Sequence, residues 1–332
     1  MRRLEFTLLL ALAAAAPTAA QEPAREHQSA AEGQHQERMR HNRHLLVSAD
    51  SLATRLPSVL VVQVGRTTEA YLAGHVPGAR FLPLSAVAAT VDGLLNEFPA
   101  PEAMAAAFGD LGIGDRDRIV IYGDDAGLMA ARAWVALDLL GHGDRAALLD
   151  GGLAAWRAAV QPVDTGAVPN RARHFTPRWQ ARRLADAAWV RSHLGERSVV
   201  LLDARPSDQY AGAEPPCPPG QATCAQIPIE RRGHIPGAKN LYWMNVLVSR
   251  DDPVVKSMHD IHDGMLVPLG TDRDDVRTLV TYCRTGMQAS FAYFVARWIN
   301  YPDVRLYDGS FIQWSSLPAA DYPVETGGLG SP

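Results

Sequence analysis

A chain of 332 residues is too long for one ordinary hydrophobic core, so two domains are expected. With 47% hydrophobic and 20% charged residues the composition is that of an ordinary globular protein. A net charge of -4, without basic runs interleaved with aromatics, excludes the electrostatic footprint of a nucleic-acid binder.

Met1-Arg2-Arg3 is a short basic start, residues 6–16 form an uncharged apolar run, and Thr18-Ala19-Ala20 supplies small residues for signal-peptidase cleavage. Residues 1–20 are therefore expected to be a signal peptide cut before Gln21, leaving a periplasmic or secreted protein. The apolar run is too short for a bilayer, which takes about 20 residues, so no membrane span is expected. Residues 21–46 are polar and lack apolar periodicity, the pattern of a disordered tail. Its histidines, His27, His35, His41 and His44, lack regular ligand spacing, and no metal is expected there.

Short continuous apolar runs at 60–64 and 119–122 predict strands buried on both faces, and 129–140 has helical periodicity. A Pro/Gly-containing polar stretch at about 161–177 reads as a boundary. Beyond it Asp186 is placed to N-cap a helix, 198–203 and 279–282 repeat the strand signal, and 287–298 repeats the helical one. Strands alternating with helices predict an α/β fold with parallel sheets.

The second half repeats the first. GHVPGA at 74–79 returns as GHIPGA at 233–238, and LLDGGLAAW at 148–156 returns as LYDGSFIQW at 306–314. The segment beginning at Ile119 returns at Leu279, so these anchors are separated by 159, 158 and 160 residues. Arg66 and Tyr71 match Arg205 and Tyr210 at a separation of only 139, so the second copy carries an insert, at 211–232. That insert contains Cys217 and Cys224, in a Pro/Gly-rich segment with six residues between them. In an oxidising compartment these two are expected to form a loop disulfide. Cys283 is then the unpaired cysteine.

Cys283 ends a predicted strand and is followed by Arg284, Thr285, Gly286, Met287 and Gln288 at the start of a predicted helix. Ligands bind at the carboxyl ends of strands in such sheets. Gly286 allows a tight turn whose amides form an anion-binding nest. Nest and helix dipole together are expected to depress the thiol pKa, with Arg284 adding positive charge. Cys283 is the candidate nucleophile and the residues from Arg284 to Gln288 the candidate anion site. A cysteine phosphatase would need an arginine six positions after its nucleophile, where Ala289 stands.

The doubled GHxPGA, Asp203-Ala204-Arg205, the Cys-Arg-Thr-Gly loop and the DGG..AW ending resemble the tandem-domain rhodaneses, over about residues 47 to 325. The resemblance implies two rhodanese-like domains, at 47–165 and 177–326, each a parallel five-stranded sheet flanked by helices. It implies one active site, in the second domain at the interface, that carries sulfur as a Cys283 persulfide. The outer sulfur of a small anionic donor such as thiosulfate, held also by Arg205, would be relayed to cyanide or a thiol by a monomer without cofactor. In the first copy Gly123, then Asp124 and Asp125, stand at the cysteine loop, so that half is expected to be a non-catalytic wall of the cleft.

Family members usually place a second arginine where this chain has Gln209; the thiosulfate branch often has lysine at Thr285, and the mercaptopyruvate branch glycine at Arg284. Thiosulfate is the expected donor, with 3-mercaptopyruvate, or a non-catalytic sulfur-binding or partner-docking role, as alternatives. Arg231, Arg232 and Lys239 are candidates to replace the missing charge, although Arg231 and Arg232 read first as a solvated patch. His234 is expected to bond within its turn, Asp203 to orient Arg205, and Asp308 to cap the following helix.

Overall fold

The computed structural model describes residues 42–123, 125–213, 229–271 and 275–328. The signal peptide, the tail as far as residue 41, and the Cys217 and Cys224 pairing lie outside the described residues.

In the first half, β1 (Leu46–Val47), β2 (Leu60–Gly65), β3 (Arg80–Pro83), β6 (Ile119–Gly123) and β7 (Ala146–Leu149) form a parallel sheet in the order β1-β7-β6-β2-β3. The central strands β2, β6 and β7 are nearly all buried, which is why they read as unbroken apolar runs rather than alternating ones. Between β3 and β6 a hairpin of β4 (Ala89–Val91) and β5 (Leu94–Glu97) leaves the sheet. Asp92 and Gly93, at φ 50° and 82°, make its two-residue turn, a conformation Asp-Gly favours.

In the second half, β8 (Leu184–Ala185), β9 (Val199–Asp203), β10 (Lys239–Asn240), β11 (Thr278–Tyr282) and β12 (Asp303–Tyr307) run β10-β9-β11-β12-β8, the same order read from the other edge. Asp186 caps the helix Ala187–Ser192, its Oδ1 accepting from Trp189 N–H at 2.7 Å. The chain thus forms two α/β domains with one topology.

The expected tail reaches too far. Leu45 is fully buried, Leu46 pairs with Leu148 in the sheet, and Asn42 Nδ2 donates to the Arg297 carbonyl at 2.7 Å. Two residues of strand are too short to show periodicity; only the neighbouring strand defines them.

The helices Leu128–Leu139 and Met287–Trp298 pack against each other and join the domains, with Trp134 edge-on to Phe294 at 5.0 Å. One buried cluster runs through both halves. Within it Asp138 is 1% exposed and accepts from Tyr293 Oη at 2.7 Å, with Arg183 and Arg297 supplying countercharge. Such a shared core makes the two repeats one rigid unit rather than beads on a linker.

Gly127 and Gly286, both at positive φ, precede these helices, so the helices are 159 residues apart while Tyr122 and Tyr282 are 160 apart. The loop of the first copy is therefore one residue longer than that of the second.

Candidate active site

The site begins where β11 stops. Tyr282 is fully buried, and its phenol accepts from the Ile235 amide at 3.2 Å, tying the strand end to the turn at 233–238. Cys283 follows at 1% exposure, and the N–H groups of Ala289, Thr285 and Gln288 bond its sulfur. Gly286 adopts φ +81°, and a Cβ there would lie 2.5 Å from Asp308 Oδ1, so only glycine makes this turn.

Burial pushes the Cys283 thiol above its usual range, and nearby Asp203 adds to the rise; the amide donors offset only part of it. This overturns the expected depressed pKa, because the same burial that orders the nest removes the water that would solvate a thiolate. The rate of thiol modification, or of the first half-reaction, should therefore rise about tenfold per pH unit from about pH 7 upward. A rate flat from about pH 6 to 8 would mean that the thiolate is already formed.

Ser310 stitches the loop to the next element. Its Oγ accepts from Cys283 N–H at 3.2 Å and Gly286 N–H at 3.0 Å, and donates to the Tyr307 carbonyl at 2.9 Å. Phe311 N–H and Ile312 N–H, in the first turn of the helix Ser310–Ser316, bond the Cys283 and Arg284 carbonyls. Motif reading passes over Ser310, yet the repeat holds the signal. Serine at φ 52° stands where the first copy has Gly152 at φ 57°. Ser310→Gly should keep the backbone shape while lowering stability by about 2 kcal/mol, since two bonds of about 1 kcal/mol each are lost from the loop, and should slow sulfur transfer by up to roughly thirtyfold. Unchanged kinetics would remove Ser310 from the positioning network.

Arg205 is 2% exposed. Its Nε and Nη2 grip Asp203, with Nη2 to Oδ2 at 2.6 Å, and Nη2 also donates to the Gly233 carbonyl at 2.8 Å. Its guanidinium carbon sits 4.1 Å from the Phe311 ring centroid. Asp203 thus orients Arg205, but the arginine is not the open anion ligand expected from the motif. Burial opposes its charge while Asp203, Tyr282 and Cys283 favour it, so its pKa stays above the ordinary arginine range.

The first domain reaches into this loop. From the hairpin, Asn96, itself at φ 64°, donates from Nδ2 to Thr285 Oγ1 at 2.9 Å. Arg132, fully buried in the first domain, places Nη1 at 2.6 Å and Nη2 at 3.1 Å from the two Asp308 oxygens, and Phe98 N–H bonds the same carboxylate at 2.8 Å. Arg132 also donates from Nη1 to Ser290 Oγ at 3.3 Å, and from Nη2 to the Asn96 carbonyl. Asp308 therefore does not cap the following helix, whose start shows no side-chain cap; its carboxylate faces across the interface instead. Beside it, burial, followed by the Asp308 charge, holds Glu97 up to about 8, offset by Arg132. Near neutral pH Glu97 is thus mainly a neutral acid. None of Asn96, Glu97 or Arg132 lies in a motif, and only the packing of the domains brings them to the loop.

The remaining candidates fall into two groups. Thr285 and Gln288 meet the thiol, whereas Met287 is a core side chain at 6% exposure and Gly286 N–H is taken by Ser310. Arg284 is half-buried next to the thiol residue, its carbonyl held by Ile312. Arg231 is no solvated patch: its guanidinium donates to the Trp314, Ser315, Leu317 and Tyr322 carbonyls and closes the end of the last helix. Arg231 is thereby unavailable to replace the arginine missing at Gln209. His234 accepts its expected place in the turn, 2.8 Å from the Tyr210 carbonyl and stacked on the Tyr210 ring.

A strand-end thiol under loop amides, in the second of two repeated α/β domains, defines a rhodanese-type site. Both halves match the model of the rhodanese-like domain, over residues 48–159 and 186–317, and the chain belongs to that family. The chain is 33% identical over 296 residues to a Pseudomonas aeruginosa protein named "Probable 3-mercaptopyruvate sulfurtransferase", covering 85% of this chain and 98% of that one. It is 31% identical over 284 residues to a thiosulfate sulfurtransferase of the same organism, covering 85% and 97%. An anaerobic ergothioneine biosynthesis enzyme from Chlorobium limicola shares the fold, with a TM-score of 0.73 at 23% identity over 86% of this chain and 71% of that one. More narrowly, then, the protein is a rhodanese-family sulfurtransferase with tandem domains.

Proposed function

We propose that the protein is a monomeric thiosulfate sulfurtransferase in which Cys283 carries the transferred sulfur. The convergence of the Thr285, Gln288 and Ala289 amides on the thiol is the observation that supports this most directly. The Cys283 thiolate attacks the outer sulfur of thiosulfate; a Cys–S–S bond forms, and the S–S bond to the sulfonate breaks. Sulfite leaves with that electron pair. Cyanide or a thiolate then attacks the outer sulfur of the persulfide, and Cys283 departs as thiolate, closing a ping-pong cycle. The loop amides stabilise the anionic sulfur in both half-reactions, as oriented donors do for other developing anions. These steps use only groups of this chain and its substrates.

The choice of thiosulfate rests on Arg284 beside the thiol residue and on Gln209, which supplies no second guanidinium for a keto-carboxylate. A charge-assisted contact contributes about 1.5 to 3 kcal/mol, so its absence weakens donor affinity by roughly tenfold to a hundredfold. Steady-state rates with both donors should give a higher kcat/KM for thiosulfate. Gln209→Arg should lower KM without a matching rise in kcat, as added uniform binding does. Higher efficiency with 3-mercaptopyruvate, the donor named for one relative, would reject the assignment of thiosulfate but not the persulfide chemistry. A burst of sulfite without turnover on any acceptor would instead favour a sulfur-binding module.

The reading extends to the compartment. The basic start and apolar run of residues 1–16 support export, where Cys217 and Cys224 would pair. N-terminal sequencing of periplasmic material should begin at Gln21, and an intact Met1 in the cytosol would reject export.

A further inference from the structure

The first domain has a crevice of its own at the carboxyl ends of β6 and β7, where the second domain keeps Cys283. It is a cavity of about 430 Å³ lined mainly by small and apolar residues, including Gly123, Gly127 and Ala154, with Phe291 from the second domain as one wall. That volume lies within the size range of small-molecule sites, roughly 300 to 1,000 Å³.

The repeat shows what is missing from it. Asp150 is the counterpart of Asp308 at the repeat separation of 158 residues. Each carboxylate accepts a backbone N–H from the opposite domain: Asp308 from Phe98 at 2.8 Å, Asp150 from Val255 at 2.9 Å. Asp308 also receives the Arg132 guanidinium from across the interface. The counterpart of Arg132 is Phe291, the fifth residue of the matching helix. Among the described residues no cation pairs with Asp150, and burial raises its carboxyl to about 6, with Asp252 adding to the rise and the Val255 and Gly151 amides opposing it. The arginine of one half has become an aromatic ring in the other. An aromatic wall beside a carboxylate suits an organic cation, through the ring face as well as the charge. Arg157, also on the cavity lining, has no ion pair among the described residues and would meet an anionic group.

We propose that this cavity binds a small zwitterion, its guanidinium or ammonium end on Asp150 against Phe291 and its carboxylate on Arg157. Gly127 is part of the fit: a Cβ there would stand 3.2 Å from Phe291 Cε2 and narrow the space beside the ring. The inference is independent of which sulfur donor Cys283 uses, since no step of that chemistry passes through Asp150.

Calorimetric titration of the full chain with 4-guanidinobutyrate tests it, with 4-ureidobutyrate as the matched probe lacking the cation. Saturable binding of the guanidino compound in the millimolar range or tighter is expected, with the ureido compound at least tenfold weaker. Asp150→Asn, which keeps an acceptor for Val255 N–H, and Arg157→Met should each weaken binding at least tenfold. Ala154→Phe, placed to fill the cavity from its exposed rim, should abolish it. Thermal melts of each variant show whether it is folded. Binding by a folded Asp150→Asn or Arg157→Met variant as tight as that of the wild type overturns the assignment. So does the absence of binding to the wild type, or equal binding of the ureido probe.

Discussion

Replacing Cys283 by serine is expected to abolish sulfur transfer to cyanide and to thiols, leaving at most the background rate. The serine hydroxyl is a poor nucleophile at neutral pH, and an oxygen cannot hold and release sulfane sulfur as a persulfide does. Incubation with thiosulfate followed by intact-mass measurement should add one sulfur atom to the wild type and none to Cys283→Ser. The serine variant should still unfold near the wild-type temperature, because the exchange nearly conserves volume and the Thr285, Gln288 and Ala289 amides retain an acceptor. Normal turnover by the variant would end the persulfide reading altogether. A persulfide that forms on the wild type but transfers to no acceptor would keep the site and change the function to storage.

The second large effect lies in the domain interface. Arg132→Met should destabilise the protein by about 3 to 5 kcal/mol, the usual cost of leaving one member of a buried ion pair without its partner. Arg132 is fully buried, and besides Asp308 it donates from Nε to the Val87 carbonyl at 3.1 Å and lies 3.4 Å from the Phe98 ring centroid. The orphaned Asp308 carboxylate would face Glu97, already held up to about 8, with the Arg132 charge that offsets that rise removed. Activity should fall as well, because Asp308 Oδ1 packs where a Gly286 side chain would be and so supports the Cys283 loop from behind. Denaturant unfolding of Arg132→Met, Asp308→Asn and the double variant measures the coupling. The double variant is expected to be less destabilised than the sum of the two. Additive losses, or a loss below about 1 kcal/mol for Arg132→Met, would show that the pair does not hold the interface.

Most of the architecture is legible in the sequence because it depends on local pattern. Buried parallel strands read as apolar runs, and the helices carry their own periodicity. The repeat of GHxPGA and of the DG....W ending divides the chain into matching halves before any contact is known. The thiol is legible for the same reason: Cys283 and Gly286 sit on one strand–loop–helix unit, whose shape follows from a few adjacent residues. The helix cap at Asp186 belongs with them.

Tertiary structure decides whatever depends on residues far apart in the chain. Asn96 meets Thr285 across 189 residues, and Arg132 meets Asp308 across 176. No local pattern distinguishes these side chains from solvated ones, and Arg231 read as surface until the last helix closed over it. The charge state of Cys283 is of this kind too. Its loop alone argues for a depressed pKa, but burial removes solvent from the thiolate and reverses the direction. The sequence determined by itself that there are two like domains and one thiol at a strand end. Only the tertiary structure decided how that thiol is buried, which carboxylates are paired, and that among the described residues no cation pairs with Asp150.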